Sequence, residues 1–453
     1  MKKFNMVLAG ILAGCMMAGL VGCGSTEKEP VRAQNEANAE NAAGETQEAE
    51  AEGEETTERI EIEYWHKNSE TAGGPTIEEY AELFNASQDK YTIKPVFMTE
   101  DYKGIMQQLQ AEAAAGNALG VIQVGYYWLN YFTENHQYVD IKELDESYLD
   151  NYLPNITELC TTQDGKVAGV PYSLSTPVIY YNTELLEEAG LDTSNLPQTT
   201  DELYDWARTV KENTGEYGLA IAAASDFWVE QYEIESNGGR MVNYNDDGTM
   251  TATFASEEGS EALQGIADLI NKDGAATYVL GEPIKEAFSS GKVAMIAATI
   301  GWNTGIVEAS DFEVAAGPMP SYGTNERRIP VGGNFLAITA LDEEEQQGAW
   351  EWIQFITTAE AHVDWTKATG YVPPRKDVTE LDDFKAYLEE APQLNASLDQ
   401  MEYLVPFVSF PGDAGLEIEQ GLLDTRDVIM NGDKPAAEAL AELQDKANEL
   451  MDQ

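Results

Sequence analysis

The chain has 453 residues and carries 81 acidic against 26 basic side chains, a formal net charge of −55. A field of that sign repels phosphate backbones and anionic headgroups, which excludes nucleic acid and bare anionic membrane surfaces as partners. At about 150 residues per domain, the length allows two or three domains with sizeable cores.

Lys2 and Lys3 precede an apolar, glycine-containing run from Met6 to Gly22, the layout of a secretory signal. The run is somewhat short for a membrane span of about 20 residues. Its end, Leu20-Val21-Gly22-Cys23, resembles the lipobox of bacterial lipoproteins, in which cleavage leaves Cys23 as a lipidated first residue. Residues 1–22 are therefore expected to be a lipoprotein signal peptide. From Gly24 to Glu58 there are eleven glutamates, two basic residues and no aromatic. Such a segment cannot bury enough apolar area to offset ordering entropy, so 23–58 is expected to be a lipidated, disordered acidic tether. With Cys15 in the signal and Cys23 lipidated, Cys160 stands alone and no internal disulfide is expected. His66, His136 and His362 lie far apart without metal-ligand spacing, so neither a metal nor a cofactor is expected.

Folding is expected to begin at "RIEIEYW", where Ile60, Ile62 and Tyr64 alternate with charges as in a half-buried strand. Thr76 and Glu79 form a capping-box pattern opening the helix "TIEEYAELFNAS". "YTIKPVFM" reads as a strand and "DYKGIMQQLQAEAAAG" as a helix stopped at Gly116. "GVIQVG" is a short buried strand, followed by a helix from Tyr126 to Asn135. After "VPYSLSTPVIYYN" come "TELLEEAG" and a long helix from about Thr200, capped by Thr199 and Glu202. "YGLAIAAA" and "GKVAMIAAT" are further apolar strands, and from Glu380 onward the pattern is mostly helical. The alternation predicts an α/β fold with mainly parallel sheets covered on both faces.

The sequence lacks the nucleophile-elbow, zincin, P-loop and dinucleotide fingerprints. Ser289-Ser290-Gly291-Lys292 matches S-x-x-K, but its S-D-N partner motif does not occur. Paired carboxylates leave a surface glycoside hydrolase open as an alternative, although 81 acidic residues make pairs inevitable. Trp350, Trp352 and Trp365 occupy helical stretches and read as core. Trp65-His66, Tyr126-Tyr127-Trp128, Phe227-Trp228, Trp302-Asn303 and Gly370-Tyr371 instead stand beside small or amide residues near strand ends. An aromatic ring there offers a flat apolar face to a sugar, and the neighbouring amides and hydroxyls suit its OH groups. In open α/β sheets, ligands sit beyond the carboxyl ends of the strands, where these residues fall.

Five pieces stand in an order that resembles the extracellular solute-binding proteins of carbohydrate ABC transporters: "YWH", "STPVIYYN", "FSSGKVAM", "VGGNFLAI" and "TGYVPP". The resemblance covers roughly Ile60 to Leu450 and is nearest the glycerol-phosphate-binding branch. It implies a two-lobed, maltose-binding-protein-like fold with three hinge crossings, at "SLSTP", "AATIGWN" and "TGYVPP". Lobe 1 is then 59–173 plus 299–371, and lobe 2 is 174–298 plus 372–453. It also implies ligand contacts at His66, Tyr102, Tyr126, Ser175, Trp228, Thr299, Gly333 and Tyr371. Trp302 and Asn334 join them on cleft position and residue type.

The chain departs from the glycerol-phosphate branch at Tyr126, where that branch has an acidic residue, and at Ser225, where it has an aromatic. That branch also places an arginine near "FVSFPGD", yet no Lys or Arg stands between Lys385 and Arg426. The departures favour a neutral carbohydrate over a phosphate ester. The expected protein is not an enzyme. It is a monomeric receptor, lipid-anchored on the outer face of the cytoplasmic membrane, that passes a carbohydrate to permease subunits. A glycerol-phosphate-type receptor and a receptor feeding a sensor are the alternatives within the same resemblance.

Overall fold

In the computed structural model, the alternating segment at the start of the fold forms β1 (Ile60–His66), burying Ile62, Tyr64 and His66 on one face. The structure describes residues 59–451 apart from 71, 118, 224–226, 246–247 and 281–282. The signal segment, Cys23, the acidic tether and Ser225 lie outside the described residues.

The further strands are β2 (Tyr91–Phe97), β3 (Val121–Gly125), β4 (Val170–Ser175), β5 (Pro177–Asn182), β6 (Tyr217–Ala223), β7 (Val242–Tyr244) and β8 (Met250–Ala252). They continue with β9 (Ala276–Leu280), β10 (Val293–Thr299), β11 (Val314–Pro318), β12 (Ile329–Pro330), β13 (Gly332–Ile338) and β14 (Leu404–Val405). Two five-stranded sheets result, ordered β2-β1-β3-β13-β4 and β11-β5-β10-β6-β9, with two-stranded pairs β12-β14 and β7-β8. Each five-stranded sheet is the centre of one lobe.

The sheets are mixed, not mainly parallel. β1 runs parallel to β2 and β3, and β6 parallel to β9 and β10, as helix-linked units require. β13 is antiparallel to β3 and β4, and β5 to β10 and β11. β5 and β13 are entered by a crossing from the other sheet, so no βαβ turn fixes their direction.

Two expected boundaries are corrected by pairing and packing. β11, inside the 299–371 stretch expected of lobe 1, pairs with β5 from Val314↔Asn182 to Pro318↔Val178 in the second sheet. Residues after 371 were expected in lobe 2. Yet Val378 and Phe384 are buried against Ala359 and Val363 of the helix Ala359–Thr369 on the first lobe. The Arg375 guanidinium also donates to the Thr357 carbonyl at 3.0 Å.

Some helix ends follow the expected local rules and others do not. Thr199 and Glu202 form the reciprocal capping box of Thr200–Thr214, and Gly116 closes Asp101–Ala115 with a left-handed φ of 80°. The helix containing Thr76 instead starts at Gly74. Pro75 presets its first turn, and Thr76 lies inside that turn. The expected helix from Tyr126 opens as a 3-10 turn, Tyr126–Trp128, before Leu129–Asn135. Trp350, Trp352 and Trp365 are buried as expected, with Trp352 against Tyr64 and Phe84 and the Trp365 ring stacked on Tyr172. At the S-x-x-K match, Gly291 makes a left-handed turn and Lys292 pairs with Glu216 at 3.0 Å, a surface turn leading into β10.

Candidate functional site

The two large sheets meet where β4 passes into β5 through Thr176 alone. The hydroxyls of "SLST" are spent on this passage. Ser175 Oγ and Thr299 Oγ1 share a hydrogen bond of 2.6 Å, joining the end of β4 to the end of β10. Thr176 Oγ1 bonds Ser397 Oγ at 2.6 Å and accepts from Gln400 Nε2 at 2.9 Å. Ser173 Oγ accepts from the Trp365 indole at 2.9 Å. Tyr180 OH, from β5, donates to the Thr299 carbonyl at 3.0 Å.

Most of the residues expected at the ligand lie around this junction. Gly332 pairs with Ser175, and the Trp228 ring lies over Gly332 while its indole donates to the Pro330 carbonyl at 2.6 Å. Gly333 takes φ 107°, and a Cβ there would run into the Ser173 carbonyl, so this glycine answers to backbone geometry. Asn334 is fully buried; its Nδ2 donates to Tyr102 OH at 2.9 Å, while its Oδ1 has no protein partner. Tyr371 approaches Gly301, whose amide donates to Thr299 Oγ1 at 3.1 Å.

Sequence reading missed Lys67. Its Nζ lies 4.3 Å above the Tyr102 ring and 3.1 Å from Asp101, and Tyr371 also lies within its electrostatic reach. Burial opposes its charge, but Tyr102, Tyr371 and Asp101 together outweigh burial and hold the ammonium firmly protonated. The available signal was its place one residue beyond the end of β1.

Three expected contacts sit differently. Tyr126 is buried against Phe335 in the first lobe's core, with ring centroids 6.0 Å apart. His66 is buried between Tyr64 and Phe97, and burial lowers its pKa to about 4, so it is neutral. Trp302 is half-buried with Lys285 Nζ 4.4 Å over one face.

Open space is lined instead by sequence neighbours of the expected residues, such as Lys103, Tyr127 and Phe227. A cavity of about 370 Å³ is walled by Tyr127, Trp128, Phe227, Gln231 and Phe407, with Lys103 and Glu419 among its polar groups. It shares Tyr127, Trp128, Lys103, Leu416 and Glu419 with a chamber of about 230 Å³ that adds Tyr131 and Phe410. Gln231 is locked by the 406–408 segment, donating to the Pro406 carbonyl and accepting from the Val408 amide, both at 3.0 Å. Tyr127 comes from the turn after β3 and Phe227 from the approach to the helix Trp228–Ser236, so both lobes contribute walls. Rigid aromatic faces with a few fixed polar groups suit an amphipathic small molecule. Among the described residues, no group of three or more His, Cys, Asp or Glu side chains is placed to hold a metal.

Comparison with known proteins agrees with this architecture. The chain is 27% identical over 422 residues to the sn-glycerol-3-phosphate-binding periplasmic protein UgpB of Escherichia coli K12, covering 86% of this chain and 92% of that one. It is 24% identical over 424 residues to the protein of the same name in Rhizobium meliloti, covering 86% and 93%. The fold matches the cyclic alpha-maltosyl-1,6-maltose binding protein of Arthrobacter globiformis with a TM-score of 0.76 at 21% identity, over 87% of this chain and 99% of that one. It also matches UgpB of Mycobacterium tuberculosis in complex with glycerophosphocholine, with a TM-score of 0.73 at 21% identity over 86% and 98%. The profile of the bacterial extracellular solute-binding proteins matches residues 79–393, and the chain belongs to that family.

Proposed function

We propose that this solute-binding protein captures a carbohydrate in the aromatic cavity between its lobes and delivers it to the permease of an ABC transporter. The observation that carries the reading is the wall of Tyr127, Trp128, Phe227 and Phe407 around about 370 Å³, beside fixed polar groups. Ring faces pack against sugar C–H faces, Gln231 and Lys103 in the cavity wall supply hydrogen-bonding and charge, and at the junction Lys67, Tyr371 and the unpaired Asn334 Oδ1 add further polar groups. Ser175, Thr299, Gly333 and Trp228 shape the junction behind them. Burial of Tyr126 and His66 favours a supporting part for both.

In this reading lobe 1 comprises about 59–175 with 332–390, and lobe 2 about 177–318 with 392–451. The lobes close on ligand by bending at the segments between these ranges, and the permease reads the closed form through a population shift. Lipidation at Cys23 holds the protein at the outer face of the cytoplasmic membrane. Cys23→Ala is expected to move it from the membrane fraction to the soluble fraction with ligand affinity unchanged; retention in the membrane fraction refutes the anchor.

A second reading, an anionic glycerol-phosphate-type ligand, draws support from Lys67 in the constellation and from the names of the curated relatives. A thermal-shift panel of sugars beside glycerol 3-phosphate separates the two. Ligand at a thousand times its dissociation constant adds about 4 kcal/mol of stability, a readily measured rise in melting temperature. A rise with a neutral sugar and none with the phosphate ester is expected; a rise with glycerol 3-phosphate alone overturns the carbohydrate reading.

A further inference from the structure

The helix Asp101–Ala115 opens on the one residue other than glycine, among those described, whose backbone φ is positive: Asp101, at 57°. Its side chain is 61% exposed, so no packing demand puts it there. A carboxylate in the first turn of a helix is favoured in ordinary helical geometry as well, and glycine would take this φ without strain. The strain is therefore offset by what the carboxylate touches. Asp101 Oδ1 accepts from the Tyr102 amide at 2.8 Å and lies 3.1 Å from Lys67 Nζ. The left-handed bend brings one oxygen to both groups.

Lys67 is the inner partner, 21% exposed, with its ammonium over the Tyr102 ring and Tyr371 within its electrostatic reach. Tyr102 in turn accepts from the buried Asn334, so the cation belongs to the lobe junction and the carboxylate stands on its outer side. An exposed ion pair contributes little to stability. Its effect on the chemistry of the junction is larger. An ammonium without a counter-ion is a phosphate-binding group. Paired with Asp101 it has no net charge to offer, and a phosphate ester approaching it meets the carboxylate at the same time. The N–H donors that Asp101 leaves free suit neutral hydroxyls. Lys103, two positions further on, likewise lines the aromatic cavity together with a carboxylate, Glu419.

We infer that Asp101 is a specificity-determining residue: held against Lys67, it cancels the ammonium and turns the site away from phosphate esters towards uncharged polyols and sugars. The inference rests on the carbohydrate reading and adds to it the group that enforces neutrality. Lys67 then serves as a hydroxyl donor, and its presence no longer argues for an anionic ligand.

The test is titration calorimetry on the full chain in about 0.1 M salt, where charges more than about 10 Å apart are largely screened, with glycerol 3-phosphate as the anionic probe beside the neutral sugars. Asp101→Asn removes the charge and keeps the size, and Asp101→Gly suits the left-handed backbone without a side chain. Both variants are expected to bind glycerol 3-phosphate at least about tenfold more tightly than the wild type, the scale of one charge pair near contact. Glu100→Gln, which removes the same charge one position earlier, should gain less than about threefold. Adding Lys67→Met to Asp101→Asn should abolish the gain. Gains no larger than that of Glu100→Gln, or a gain that survives Lys67→Met, overturn the role of Asp101 and leave the carbohydrate reading standing. Wild-type protein that binds glycerol 3-phosphate and none of the neutral sugars overturns the carbohydrate reading and this inference together.

Discussion

Gln400 is the side chain on which the lobe junction depends most directly. It is fully buried, its Nε2 donates to Thr176 Oγ1 at 2.9 Å and to the Pro177 carbonyl at 2.7 Å, and its Oε1 accepts from the Met319 amide at 3.1 Å. One amide therefore ties the β4–β5 passage to the segment following β11. Gln400→Met keeps the volume and removes every polar contact, which avoids a cavity term. Thr176 retains Ser397, but the Met319 N–H and the Pro177 C=O lose their partner in a buried site. At about 1–3 kcal/mol for each of the two buried groups left unpaired, the loss is about 2–6 kcal/mol. Urea unfolding followed by tryptophan fluorescence is the assay, and a fall in midpoint on the order of 1 M is expected. Gln420→Met is the control: its amide donates to Asp424 on an exposed helix face, and surface changes stay within about 0.5 kcal/mol. Equal midpoints for Gln400→Met and the wild type refute the reasoning, since they mean that the junction does not need these bonds.

Two further outcomes test buried charge. Glu233 lies in the helix Trp228–Ser236 and accepts from Tyr322 OH, with Tyr204, Tyr232 and Glu230 around it; burial pushes its pKa up to about 8 despite the Tyr322 bond. The folded state thus keeps a proton that the unfolded state releases above an ordinary carboxylate pKa. Its stabilising contribution is complete at low pH and is lost progressively as pH rises to about 8. Glu233→Gln should flatten that decline when chemical denaturation is measured from pH 5 to 8.5, and an unchanged slope rejects the assignment. Arg426 and Glu230 face each other at 3.7 Å, both almost wholly buried. Arg426→Met takes the guanidinium away from the buried Glu230 carboxylate and from Asp427, which lies 3.5 Å from it, and should cost about 3–5 kcal/mol in urea unfolding. Arg426→Met with Glu230→Leu should recover most of that loss, and a double variant no more stable than the single rejects the coupling.

Much of the fold is legible from short-range pattern. The Thr199–Glu202 capping box, the Gly116 stop, the alternation in β1 and the apolar runs of β3, β6 and β10 all report interactions within a few residues, which a linear reading captures. The lobe boundaries were less legible. Nothing local distinguishes a strand that stays in its sheet from one that leaves it, so β11 and the 372–390 segment were assigned to the wrong lobe.

The site divides along the same line. That aromatic, amide and hydroxyl residues near strand ends gather at the junction of the two sheets followed from residue type and from family-like order. Which of them faces open space did not. Tyr126, Tyr127 and Trp128 occupy one 3-10 turn, whose residues point about 120° apart, so one side chain enters the core and the next two line a cavity. The Ser175–Thr299 bond spans 124 positions and the Asn334–Tyr102 bond 232, and both consume polar groups that a linear reading leaves free for ligand. Lys67 acquires its surroundings only because a helix beginning at Asp101 is brought against the end of β1. The sequence by itself determined the strands, the helices, the family resemblance and the kinds of side chain available. Tertiary structure alone decided which of them the protein bonds to itself and which it leaves facing open space, because hydrogen-bond partners are chosen by proximity in space.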